Sequence, residues 1–277
     1  MPELKKITRP ELIDIVKSHQ AMLQKGAGGR RANLSFHDLA NEELSRFDLS
    51  MADFSGANLQ HSILTSTNFT RATLFGTDLR VANLRRTNMT RCDLRGACMR
   101  GADLSDAIMV DADMREGVIG WHDGNDPTYE HRNVELSAAI ATRADFTGAK
   151  MSGSFTAQTD FTDAILRNAS LVGADMRNCF LAGAQMEGAD LTGAKLMGAN
   201  LSGANLSDVN IDGADFNGAD LAGAIIDPEA LKSPELRSAK LPKPDTNIAD
   251  HLDEILSAHR RWAYDDGGAR ADLSNAD

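Results

Sequence analysis

Tyrosine and tryptophan are scarce in this chain, at two of each in 277 residues. Trp121 and Tyr129 fall in one short segment, and Trp262 and Tyr264 lie near the C-terminus. The repetitive stretches hold none of them, so their core is built without rings that carry a polar edge. Cysteine is scarce too, with three residues, an odd number. Cys92, Cys98 and Cys179 form no CxxC pair and no zinc-ligand spacing, and they read as small buried thiols of a reducing cytoplasm. No apolar run approaches the roughly 18 residues of a membrane helix. The start, Met1-Pro2-Glu3-Leu4-Lys5-Lys6, leads into no apolar segment, which argues against a signal peptide. Basic residues are outnumbered: 29 Lys and Arg face 40 Asp and Glu, for a net charge of −11. That balance argues against general binding to nucleic acid or to an anionic membrane. Phosphate loops, HExxH helices and nucleophile–base pairs are missing as well. The expectation is a chain without catalysis, cofactor or metal.

What the chain has instead is a hydrophobic beat of five. From Leu34 through Leu39, Leu44, Leu49, Phe54, Leu59 and onward to Met109, Met114 and Ile119, every fifth residue is apolar. A second register runs from Phe146 to Ile226, broken only by Thr156. This period is neither the helical 3.6 nor the strand 2. Two residues before most centres stands a small residue, commonly Ala, and where Ala is missing Ser62, Thr67, Thr77, Thr87, Cys92, Cys179 or Val209 usually stands in. That slot selects for volume, as a close-packed interior does. Between the two slots come Asn or Asp, as in Ala57-Asn58-Leu59 and Ala189-Asp190-Leu191. These residues favour turns because their side chains bond to nearby backbone.

The pattern A-(N/D)-L-x-x resembles the pentapeptide-repeat family. The resemblance implies an all-β solenoid, a right-handed quadrilateral β-helix with four pentapeptides per coil. It also implies that residues 20 apart stack in columns, such as Leu34, Phe54, Leu74, Leu94 and Met114. About nine coils at ~4.8 Å per rung would make a rod roughly 40 Å long. The expected structural core includes Leu59, Leu79, Leu94, Leu104, Leu171, Leu191, Leu201 and Phe216. Each coil buries its core only against its neighbours, so both ends need caps.

The organisation read from the beat is a capping helix in 1–29, a first block over 30–119, an inserted loop over 120–135, a second block over 136–243 and a C-terminal segment over 244–277. Thr8-Arg9-Pro10-Glu11 fits a capping box that opens a helix over 8–24, with Leu12, Ile15, Val16, His19, Met22 and Leu23 on one face. A second helix over 248–264 echoes the first: Leu252, Leu256 and His259 match Leu12, Val16 and His19. A GlyGly and the start of a repeat follow in both places, and the second of these repeats is unfinished. His19 and His259 read as packing histidines. The second helix reads as a lid, as a dock for another chain's solenoid end (hence a possible homo-oligomer), or as the start of a further module. Leu231, Leu236 and Leu241 keep the beat among prolines, as a decaying last coil would.

Candidate partner-binding residues lie where the beat fails. The segment 117–133 carries Trp121, His122, Tyr129 and His131 among turn residues, and exposed aromatic loops on rigid scaffolds often bind. Beside it, Arg80, Arg95, Arg100 and Arg115 would form columns, with Arg80 under Arg100 and Arg95 under Arg115. Two readings stay open: a wall for an anionic partner, or charges relieved by neighbouring Asp. The later repeats are acidic, with Asp175, Asp190, Asp208, Asp212, Asp215, Asp220 and Asp227 against Arg177 and Lys195. The expected function is a non-catalytic scaffold of the bacterial cytoplasm that binds a protein, with no membrane contact and no direct nucleic-acid binding. A branch of the resembling family mimics duplex DNA and binds DNA gyrase, which is the first alternative. The other is a targeting or effector module of a longer protein.

Overall fold

The computed structural model describes residues 3–25, 28–121 and 128–242. Its central part is a parallel β-ladder wound into four-sided coils. Within one coil, Asn33, Asp38, Glu43 and Asp48 pair with Asp53, Asn58, Ile63 and Asn68 of the next, always 20 residues on. Each rung is reciprocal: the N–H of Leu34 donates to the Asp53 carbonyl at 2.7 Å, and the N–H of Asp53 donates to the Ala32 carbonyl at 3.0 Å. Between rungs the chain makes a β-turn closed by bonds such as Ala57 N–H to the Phe54 carbonyl, 2.9 Å.

Period five follows from that unit. A two-residue turn and a three-residue side bring the side chain at the centre, and the small one two places before it, to the inside of each corner. Leu59, Leu79, Leu94, Leu104, Leu171, Leu191, Leu201 and Phe216 are at most 1% exposed. Most hydroxyl and thiol substitutes for Ala donate to a backbone carbonyl, while the buried Ser154 hydroxyl has no partner among the described residues. Thr67 and Thr77 donate to the Leu44 and Phe54 carbonyls of the previous coil, and Cys92 to that of Phe69. Thr156, the residue that breaks the beat, is also buried, and its hydroxyl donates to the Asp175 carbonyl at 2.9 Å. The Asn or Asp on each rung accepts the N–H two residues on, as Asp53 does from Ser55 (2.9 Å) and Asn68 from Thr70 (3.1 Å), so it locks the turn that follows.

The two registers belong to one solenoid. Cys98 pairs with Glu135, Asp103 with Ile140 and Asp113 with Lys150, so the ladder resumes in register after an insertion. The insertion begins earlier than the beat suggests. Ile119 is not a core centre: it lies in a strand, β3 (Gly117–Trp121), opposite Glu130, and Leu136 takes the place above Met99. An inward-facing strand residue happens to fall five places after Met114. At the far end, Leu231 lies in a 3-10 turn, Ala230–Lys232, and is 37% exposed. Leu236 closes the core instead, at 2% exposure, and Lys240 makes the last rung on Asp220.

At the near end, β1 (Lys5–Lys6) adds a parallel rung to β2 (His37–Asp38). The helix α1 (Arg9–Leu23) then covers the first coil. Its capping box is formed at Thr8 and Glu11, and Leu12, Val16 and His19 are its buried residues. The second helix and unfinished repeat, 244–277, lie outside the described residues. His19 Nδ1 accepts the N–H of Ala32 at 3.1 Å, so the proton sits on Nε2, which has no hydrogen-bond partner among the described residues. The Ser50 carbonyl favours a proton there but stands outside hydrogen-bond geometry. Burial holds the imidazole below its ordinary value, with Arg31 acting in the same direction and Asp48 against it. The folded protein therefore binds fewer protons at His19 than the unfolded chain does. Stability should fall as pH drops below the unfolded value of about 6.5. Thermal melts at pH 7.5 and 5.5 test this: the loss should shrink in His19→Gln, and an equal loss in both proteins would place the pH sensitivity elsewhere.

Every corner from Phe36 to Asp111 and from Ala138 to Gly223 has one residue at φ between +54° and +69°. Glycine fills many of these, but Val81 fills one at +59° with 54% of its surface exposed. A β-branched residue there is strained by about 1–2 kcal/mol, partly offset by the entropy that Gly would lose. Val81→Gly should therefore raise stability by about 1 kcal/mol in urea unfolding, whereas a loss would show that Val81 gains more from packing than its backbone costs.

Candidate partner-binding site

After Met114 the chain leaves the ladder and makes an antiparallel arm of two strands, β3 (Gly117–Trp121) and β4 (Thr128–Arg132). Gly117 stands opposite Arg132 and Trp121 opposite Thr128. The arm lies on a lane of stacked corner glycines. A Cβ on Gly76 would stand 2.9 Å from Ile119 Cδ1, and one on Gly96 would stand 3.2 Å from the Arg132 carbonyl oxygen. On the arm itself, a Cβ on Gly117 would meet the Arg95 backbone at 3.0 Å. Side chains are missing where the two surfaces approach, which is how the backbones come so close. Between the arm and β1 runs a groove of about 160 Å³, lined by Leu4, Phe36, Gly56, Ile119 and Arg132 among others.

Strand alternation puts the other side of the arm in solvent. Val118 is 48% exposed and Tyr129 66%, and the His131 side chain is 67% exposed beside Glu116. Of the sequence candidates, Tyr129 thus stands on the outer face. Trp121 ends β3, but its side chain and all of His122 lie outside the described residues, as do Asp123 and Asp126. Among the described residues no group of three or more His, Cys, Asp or Glu is placed to hold a metal, and no helix is long and apolar enough to cross a membrane.

The arginines do not form a bare basic wall. Arg80 folds back on Asp78 through Nε and Nη2, at 2.9 and 2.6 Å. Arg95 does the same on Asp93, and Arg115 on Asp113. Arg95 also lies over the Phe75 ring, 5.5 Å from its centre. Arg85, Arg91 and Arg100 reach acids one coil on: Asp103, Asp111 and Glu135. The guanidinium of Arg115 holds the Asp113 carboxyl below its ordinary value, and Asp78 raises Arg80 in turn. These pairs are exposed and worth little stability individually; their effect is to cancel charge along the wall.

Two of the arginines do come together with the arm. Arg80 and Arg100 line an open cleft of about 480 Å³ at the root of β4, with Cys98, His131, Arg132, Glu135 and Phe155. Arg95 and Arg115 do not line it. Cys98, Arg132 and Phe155 have no place among the sequence candidates. Cys98 and Phe155 replace the usual Asn or Asp on their rungs, but Ile63, Thr73, Ile108, Ile140 and Phe180 do so too, and no sequence signal sets the cleft residues apart. Burial pushes the other two thiols, Cys92 and Cys179, up to about 12. The seat under the arm can be checked with Gly76→Val against Gly173→Val. Both glycines have φ near +62°, but nothing lies within 4 Å of a Cβ at Gly173. Only Gly76→Val should speed tryptic cleavage after Arg132; equal rates would mean that the lane does not hold the arm.

The sequence pattern described as pentapeptide repeats matches in eight copies over residues 30–65, 52–91, 67–106, 157–193 and 184–223, more than half of the chain. No curated protein matches the chain. Among solved structures it is similar to HetL, a pentapeptide repeat protein of the cyanobacterium Nostoc sp. strain PCC 7120, at 24% identity and a TM-score of 0.39, over 79% of this chain and 97% of that one. It is also similar to QnrB1, a plasmid-mediated fluoroquinolone resistance protein, at 22% identity and 0.46, over 79% and 95%. A pentapeptide repeat protein of the cyanobacterium Cyanothece 51142 matches at 23% identity and 0.38, over 47% and 88%. The chain, with its 20-residue coils and its repeated sequence pattern, belongs to the pentapeptide repeat family.

Proposed function

We propose that this chain is a non-catalytic protein-interaction module in which the solenoid holds the arm at a fixed place and angle. The observation that carries this reading is the seating of the arm on the glycine lane. Such a seat stabilises the arm with or without a partner, and an interaction element held this way is also pre-organised and loses less entropy on binding. Val118, Tyr129 and His131 would make the contact, with Trp121 and His122 at the far end of the arm as further candidates. A cytoplasmic location remains part of this proposal.

The DNA-mimic reading has one observation in its favour. Asp190, Asp212 and Asp215 on the later coils make no ion pair among the described residues, while Asp175 and Asp220 are neutralised by Arg177 and Lys240. Gyrase supercoiling with and without quinolone separates the readings, because a mimic changes it at micromolar protein and an arm-directed scaffold does not. For the scaffold, affinity capture from the source cell should lose its partner in the double variant Val118→Ser, Tyr129→Ala, with the melting temperature unchanged. Identical partner lists for the two proteins would remove the arm's outer face from the function.

A further inference from the structure

We infer that His19 makes the N-terminal cap a proton-sensitive latch, which releases α1 in mild acid while the coils above it stay wound. The geometry of the first corner carries the inference. In later coils the N–H of the small residue donates to the carbonyl of the centre before it, as Ala52 does to Leu49 (3.1 Å) and Ala72 to Phe69 (2.8 Å). Ala32 stands at the first corner, and no centre precedes it. Its N–H donates to His19 Nδ1 instead, at 3.1 Å. A ring nitrogen of the cap thus takes the place of a coil that does not exist.

Only the neutral ring can do this. A protonated imidazole carries N–H on both nitrogens and keeps no acceptor. Its Nδ1–H would face the Ala32 N–H head to head. Water cannot relieve that clash, because His19 is fully buried. The charged groups acting on the ring among the described residues are Asp48 on the first coil and Arg31 on its lead-in, and they oppose each other. A proton is therefore taken up when the ring leaves Ala32, and the ring leaves only with its helix.

α1 is held by less than a coil is. It buries Leu12, Val16 and His19. Gln20 adds a bond to the Asp48 carbonyl, and Arg9 binds Glu42 and the Glu43 carbonyl. A coil of the rod has ladder bonds on both sides, such as Leu104 N–H to the Ile140 carbonyl (2.6 Å) and Asp103 N–H to that of Ala82 (3.0 Å). The cap therefore opens locally before the rod does. Release would bare Leu34, Leu39, Leu44 and Leu49, the centres of the first coil, which are fully buried in the capped form. Access to that end of the solenoid thus becomes a function of pH.

The released ring takes up a proton at about 6.5, as an unfolded one does, and the seated ring only at lower pH. Amide hydrogen exchange of the native full chain at pH 7.5 and 5.5, corrected for the intrinsic exchange rate, tests the latch. Protection of the α1 amides and of Ala32 should fall by up to about tenfold over that interval. The ladder amides of Leu104 and Leu171 should keep theirs. In His19→Gln the side-chain oxygen can still accept from Ala32 but does not titrate, so α1 should lose its response to pH. His37→Gln changes the imidazole on β2, which pairs with Lys5 of β1, and should keep the response. If Gln at position 19 fails to hold α1 at either pH, the unaltered chain and His37→Gln still decide. The inference is overturned by α1 protection that is constant with pH, or by a fall that persists in His19→Gln. Loss of the fall in His37→Gln, or a fall shared equally by Leu104 and Leu171, overturns it as well.

Discussion

Each coil has to turn four times, and each turn holds one residue in the left-handed region. The β-ladder, the inward centres and the spacing of five all depend on that corner. It is costly for most side chains, and the chain meets the cost in two ways. Some corners carry glycine, Asn or Asp. The rest carry Arg, Met, His, Val, Phe, Ser, Ala or Gln; most of these follow a rung Asn, Asp or Glu whose side-chain oxygen locks the turn, and all have the ladder bonds on either side. The result is a wall whose backbone is fixed by local bonds and whose outward side chains are free to vary. Interaction surface can then change without disturbing the core.

The arm depends on the same corner in a different way. Gly76 and Gly96 satisfy the backbone requirement, and because they lack side chains they also clear a track wide enough for a second layer of chain. One requirement of the coil thus provides the docking face for the insertion. The arginines next to the track show the complementary effect, since each lies near a rung acid by virtue of the repeat. A chain rich in Arg on one stretch therefore presents a nearly balanced wall, and the cleft at the root of β4 follows the same rule, with Arg80, Arg100 and Arg132 held by Asp78, Glu135 and Glu130.

Much of the fold was legible because Leu, Ala and Asn or Asp recur with a fixed period and each has one physical job. The capping box at Thr8 and Glu11 was legible for a similar reason, since two side chains satisfy two backbone donors over four residues. The boundary of the insertion was not legible. A strand residue, Ile119, imitates the beat, and the register across the gap depends on where the ladder resumes. Pairing of the arginines was only partly visible. Asp78 and Asp93 lie two residues away, but Glu135 reaches Arg100 across the insertion. The cleft needs both the register and the arm, so Cys98 and Phe155 could be recognised as neighbours only after the intervening segment had been removed from the count.

In a stack of coils that touch only their neighbours, fraying can travel from an end one coil at a time. The arm interrupts that sequence. It leaves the ladder after Met114, rests on Gly96 and reaches back to Gly76, so it spans three successive layers on one corner. It therefore acts as a splint near the middle of the rod. Coils beneath it can open only together, or after the arm has lifted. A pull on the arm by a bound molecule would consequently be felt first as a loosening of those three layers, well away from either end.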